Sequence, residues 1–182
     1  MASVEPVGTA GLRIELEEVE AALLVSLAQQ LVDLVRADDA DDADPLVAIV
    51  GIDPGARTPD DPALRRLLPD AYADDDEAAA RFRQFTERDL RARKVADAAR
   101  VLQMLDRAPR GFVVDGDDVR RWVGFLNDAR LALGARLEIT EDAHEWLEAL
   151  PDDDPRAGLY QVYDWLTFLQ ESLVQRLLSA GA

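Results

Sequence analysis

The sequence predicts a mainly α-helical protein, a single-domain helical bundle (residues 1–182) around a buried C-terminal helix, with one short strand pair allowed near the N-terminus. Three observations carry this. Leu159–Leu178 reads LYQVYDWLTFLQESLVQRLL and is apolar around most of its circumference over its first three turns. A surface helix needs only one apolar stripe, roughly 100° wide, so this segment is expected in the middle of the bundle over about 156–179. Trp165, Leu166 and Leu169 should then be nearly fully buried. Elsewhere apolar residues recur at three- and four-residue spacings, as in Val19, Leu23, Leu24, Leu27, Leu31, Leu34 and Val35. Finally, 182 residues suit one domain large enough to bury a core.

Taken in order, residues 1–11 carry Pro6, Gly8 and Gly11 and are expected to be loose. Leu12, Ile14 and Leu16 alternate with polar residues, which fits a short strand. A helix follows from Glu17 to about Arg36, with Glu15, Glu17, Glu18 and Glu20 at the positive end of its dipole. Residues 38–45 hold five aspartates and Pro45 and read as an acidic linker. That run lacks the glycine and terminal Glu of an EF-hand calcium loop. Leu46–Ile52 is apolar and fits a strand or a packed turn; Gly51, Pro54, Gly55, Pro59 and Pro62 break the chain after it. A short helix over Pro62–Leu68 is stopped by Pro69.

Helix resumes near Asp76. Thr86 with Asp89 three residues on reads as a capping box for a longer helix to about Arg107. Leu90, Val95, Ala98, Leu102 and Leu105 give that helix its inner face. Pro109 and Gly111 end it, and Phe112–Val114 is a brief extended piece. Asp115, Asp117 and Asp118 open the next helix, with Trp122, Val123, Leu126, Leu131, Leu133 and Leu137 as core candidates and Gly134 weakening its end. Thr140 caps a short helix carrying His144, Trp146 and Leu147. The acidic turn Asp152–Pro155 then leads into the C-terminal helix.

Composition excludes several functions. There are 37 acidic and 20 basic residues, a net charge of −17. Such a surface repels nucleic acid and anionic membrane and favours basic protein surfaces. Sequence-specific DNA binding by the protein alone is therefore not expected. The absence of cysteine removes disulfides, thiolate zinc sites and thiol redox sensing. No stretch approaches 18 continuous apolar residues, and the N-terminus is neither basic nor apolar enough for a signal peptide, so a cytoplasmic location is expected.

His144 is the sole histidine, too few for a histidine-based triad or zinc site, and reads as a surface helix residue. No Gly-rich phosphate loop or nucleophile elbow occurs. Catalytic, cofactor and metal residues are accordingly none. The one basic segment is Arg81–Arg110, with nine basic residues against four acidic ones, a net +5. Its ordinary reading is a solvated face paired to acidic neighbours. Its functional reading is a partner surface of Arg88, Arg91, Arg100 and Arg107 turned outward. A second expectation is a buried polar network between the helices around 122–137 and 159–178, drawn from Asn127, Asp128, Arg130, Arg136, Asp164, Gln170 and Glu171, since buried polar groups must be paired. A ligand pocket lined by the same groups is the alternative.

Four segments in order, RLLPDAY (Arg66–Tyr72), EAAARFRQFTERDLRARK (Glu77–Lys94), WVGFLNDARLALGARL (Trp122–Leu137) and YDWLTFLQESLV (Tyr163–Val174), resemble the actinobacterial DUF2017 family, which includes the AosR-type oxidative stress regulators. The resemblance covers most of the chain. It implies a non-enzymatic regulator of transcription or stress response that works through protein contacts with a sigma factor and RNA polymerase. Separately, the basic segment within an acidic chain gives faces of opposite sign, which would let two copies meet head to tail as a homodimer. Family members encoded beside the protease adaptor ClpS imply an alternative link to regulated proteolysis. A small-molecule-binding helical domain is the third reading. Redox-responsive members are understood to use a cysteine pair, which this sequence lacks.

Overall fold

The computed structural model describes residues 2–8, 11–37, 57–140, 143–151 and 153–180. The acidic run 38–45 and the apolar stretch 46–52 lie outside the described residues, as does the side chain of His144. The chain is mainly α, with 71 % of the described residues helical and a small antiparallel sheet. Its elements in order are β1 (Ser3–Val7), β2 (Gly11–Glu15), α1 (Glu18–Ala37), α2 (Pro62–Leu67), α3 (Asp76–Arg107), β3 (Gly111–Val114), α4 (Gly116–Arg136), α5 (Ala143–Glu148) and α6 (Pro155–Ala180).

The N-terminus is not loose. β1 pairs antiparallel with β2, and β2 pairs antiparallel with β3, in the order β1-β2-β3. Gly8 turns the chain at φ +63°, a left-handed conformation that glycine adopts without steric penalty. The register aligns Val4, Ile14 and Phe112 in one row and Pro6, Leu12 and Val114 in the next. Ile14, Leu12 and Val114 are at most 4 % exposed, so one face of the sheet covers the helices. Pro6 sits on the edge strand, where its missing N–H breaks no interior ladder.

The helix in the middle is α4, not α6. α4 packs against α1, α2, α3 and α6. Val119, Trp122, Phe125 and Leu126 along it are fully buried, and Phe112 of β3 stacks on Trp122 with centroids 5.3 Å apart. α6 lies to one side, against α4, β1 and α5. Leu166, Leu169 and Leu173 are buried as expected, but Trp165 is only partly buried, and Leu159, Phe168 and Leu178 are exposed. The breadth of its apolar surface has a simple source. One stripe faces the main core, while Tyr160 and Tyr163 serve a second, small cluster with Leu137, Leu147 and Ile139. Two cores on different sides of one helix look, in sequence, like burial all round.

α3 is one helix of 32 residues, about 48 Å at 1.5 Å per residue, with no restart at Thr86. Thr86 donates its hydroxyl to Phe82 O at 2.9 Å, a bond inside a continuing helix and not a cap. The start of the helix is capped by Asp75, which accepts from Ala78 N. Among the described residues no helix is long and apolar enough to cross a membrane.

Trp122→Ala should destabilise by about 3–5 kcal/mol, the usual cost of emptying a fully buried aromatic site. Trp165→Ala should cost clearly less. Equilibrium chemical denaturation of both variants checks this, and a larger loss at Trp165 would return α6 to the centre.

Candidate functional site

The chemistry-bearing side chains concentrate on α3. Residues four apart share a helix face, and Arg83, Glu87 and Arg91 are spaced in that way. Arg83 is 5 % exposed and Arg91 4 %. Charges that deep require several partners each. Arg83 donates to Leu68 O at 3.0 Å and Asp70 Oδ1 at 2.6 Å, and pairs with Glu87. Arg91 donates to Val35 O at 2.7 Å and to Glu87 Oε1 at 2.8 Å. Leu68 is the C-cap of α2, and Val35 stands in the last turn of α1. Each guanidinium thus meets carbonyl oxygen at the negative end of another helix. The hydrogen bond from Arg83 holds Asp70 below its ordinary carboxylate value, against a smaller opposing effect of burial.

Further along α3 three ion pairs join it to α4. Lys94 Nζ lies 2.6 Å from Asp128 Oδ1, Arg121 reaches Asp97 at 3.0 Å, and Arg100 grips Asp118 with two bonds of 2.8 and 2.6 Å. Burial raises Asp97 and Asp128 despite their cations. The bond from Arg100 lowers Asp118. Gly124 permits this close seam, since a Cβ there would stand 3.2 Å from Asp97 Oδ2.

The expected partner surface is therefore only partly available. Arg91 does not point outward; it is buried, because its bonds lead inward to Glu87 and the end of α1. Arg100 is about one-third exposed and held by Asp118. Arg88 and Arg107 are exposed. Of the expected polar network, Arg130 and Gln170 meet across α4 and α6 at 2.6 Å, with Tyr163 Oη 3.3 Å from Arg130 and its ring beneath the guanidinium. Asp128 turns to α3 instead. Arg136 is exposed and pairs with Asp61, the N-cap of α2. Asp164 and Glu171 are exposed and stand outside that network, while Asn127, also exposed, hydrogen-bonds the buried Asp128. Their polar side chains occupy the solvent side of helices whose other faces are packed.

A feature missed in the sequence lies beside Arg83. Residues Leu68–Ala71 and the first half of α3 enclose an open cavity of about 360 Å³, lined by Leu68, Asp70, Phe82, Phe85, Leu90 and Arg93 among others. Tyr72 meets Phe82 edge to face at 6.1 Å, yet Tyr72, Phe82 and Phe85 are 50, 46 and 57 % exposed. Phe82 and Phe85 do not fit the inward stripe of Leu90, Ala98 and Leu105, and that mismatch was the available signal. No group of three or more metal-ligating side chains occurs among the described residues.

A model of DUF2017, a domain of unknown function, matches residues 1–177. The chain belongs to the DUF2017 family. Curated DUF2017 relatives in Mycobacterium tuberculosis and Mycobacterium bovis, each called oxidative stress regulator AosR, are 40 % identical over 185 residues, covering 92 % of this chain and 83 % of theirs. A Mycobacterium leprae relative, called a putative oxidative stress regulator AosR, is 36 % identical over 175 residues, covering 88 % of this chain and 79 % of its own. No solved structure matches. Two of the segments that carried the family resemblance, Arg66–Tyr72 and Glu77–Lys94, form the two walls of the aromatic cavity.

Glu87→Ala leaves two buried guanidiniums facing one another and should destabilise by about 3–5 kcal/mol, as loss of one member of a buried pair does; urea denaturation reads it. Asp118, lower in the folded than in the unfolded chain, adds stability at pH above its ordinary value of 3.8, and that contribution disappears as pH falls through the folded value. Asp118→Asn should therefore flatten the loss of stability below about pH 4, measured by denaturation at stepped pH.

Proposed function

We propose that this chain is a non-enzymatic regulator that acts by binding protein, and that its target is the transcription machinery, a sigma factor or RNA polymerase. Similarity to named oxidative stress regulators over 92 % of the chain supports the regulatory role. The observation that carries the protein-contact mechanism is the fate of the basic segment. Among the described residues Arg81, Arg83, Arg91, Lys94, Arg100 and Arg110, at least six of its nine cations, are engaged with carboxylates of the same chain. Positive charge spent in this way is withdrawn from phosphate contact, and the net −17 is left to meet a basic protein surface.

Affinity purification of the tagged full chain from its native host tests this. Enrichment of a sigma factor or polymerase subunit is the expected result. Enrichment of a protease adaptor alone would move the function to regulated proteolysis. The purified chain alone should leave no footprint on promoter DNA at physiological salt. Because the chain has no cysteine, mild peroxide should produce no dithiothreitol-reversible change in its helical signal or hydrodynamic size.

A further inference from the structure

We propose that the cavity between Leu68–Ala71 and α3 is the docking site for a basic, amphipathic helix of a partner protein, which inserts an aromatic or leucine side chain between Phe82 and Phe85. This rests on the reading above that the chain works through protein contact.

The argument begins with exposure. Tyr72, Phe82 and Phe85 are each near half exposed, Tyr72 meets Phe82, and Phe82 and Phe85 both line the cavity, although the chain has only three tyrosines and five phenylalanines. Large aromatics grouped at the surface around a concavity are the usual anchor points of protein interfaces. The cavity floor is fixed. Arg83 is tied to Leu68 O, Asp70 and Glu87, so the space between the walls cannot close by side-chain collapse without breaking buried ion pairs. A volume of about 360 Å³ is at the small end for a drug-sized ligand and suits one or two inserted side chains.

Charge decides the occupant. The wall that supplies Asp70 continues through Asp74, Asp75 and Asp76, all exposed, into α3. Asp89 adds a carboxylate to the lining. Against these, Arg83 is buried and already neutralised, and Arg81 is bound to Glu77. Arg93 is the one exposed cation of the lining, opposite the aspartate-rich end. An apolar anchor with lysines or arginines directed toward Asp74–Asp76 is complementary to this rim. An acidic segment, or a second copy of this chain at −17, is opposed by it.

The test uses the full chain and two synthetic probes. One is an amphipathic helical peptide with phenylalanine and leucine at i, i+3, i+4 and i+7 and lysine and arginine elsewhere. The other is the same peptide with glutamate in place of its cations. The basic peptide should bind, measured by fluorescence anisotropy, and the acidic one should not. Phe82→Ala with Phe85→Ala should weaken binding at least about tenfold while circular dichroism stays unchanged, since both rings are largely outside the core. Trp146→Ala, an exposed aromatic on α5, should leave binding unchanged. Amide shifts on adding the basic peptide should concentrate at Ala71, Phe82, Phe85 and Leu90. Absence of binding, equal binding by the double variant, preference for the acidic peptide, shifts centred elsewhere, or a dimer abolished by the double variant would each overturn the proposal. If the peptide binds as described but no polymerase component is recovered from the host, the docking site stands and the transcription reading falls; the converse result does the reverse.

Discussion

The arrangement Arg83–Glu87–Arg91 is the constraint on which the helical packing depends. One carboxylate on α3 holds two guanidiniums, and each guanidinium binds the terminal carbonyls of a different helix. α1 and α2 are thereby fixed to a single surface although nearly the whole segment between them is irregular or outside the described residues. The desolvation of two cations is offset only because every partner is in place, so the group acts as a unit. Apolar packing holds α2 against α4 and does not by itself say where its end meets α3. Directed bonds from a buried guanidinium fix where along α3 the two helix ends are held.

That registration places α4 at the centre. The three ion pairs from Lys94, Asp97 and Arg100 set its spacing from α3, and Gly124 lets the two helices come close. With its position set, Trp122 can fill the space between the sheet and the helices, stacked on Phe112. The basic character of Arg81–Arg110 is in this light a property of assembly. Its cations are matched to carboxylates on α3 itself, on α4, at the start of α1 and in the turn before α3, and the surplus acid is distributed over the remaining surface.

Periodicity made most elements readable. The helices over 18–37, 116–136 and 155–180 follow from apolar spacing, and Gly116 and Pro155 mark where the last two begin. What spacing cannot give is the identity of a neighbour. Arg91 reads as outward because Leu90, Ala98, Leu102 and Leu105 occupy the inner face; the carbonyl of Val35, 56 residues away, is what draws it in. Asp128 was assigned to α6 and pairs with α3. Phe112–Val114 reads as extended in sequence, but nothing in it reveals β2 as its partner. Thr86 and Asp89 satisfy a local capping rule inside a helix that continues through them, a case of tertiary packing overriding a local signal. The aromatic cavity was hidden for the same reason, since one of its walls comes from a different segment.

The sheet has a consequence for how the chain is made. β2 lies within the first 15 residues, while its second partner β3 begins at Gly111. On a ribosome adding about 5–20 residues per second, the β1–β2 hairpin waits on the order of 5–20 s for that strand to be synthesised. An isolated hairpin is marginal in water, so through that interval the apolar row of Leu12 and Ile14 has no helix α4 to cover and no third strand to complete it. Closing the sheet joins the earliest part of the chain to a part made much later, a contact of high sequence separation, as are those of α1 with α3 and of β1 with α6. The nascent chain is thus most dependent on chaperones before residue 114 emerges, and substitutions in β3 should reduce yield in the cell more than they reduce the stability of the finished protein.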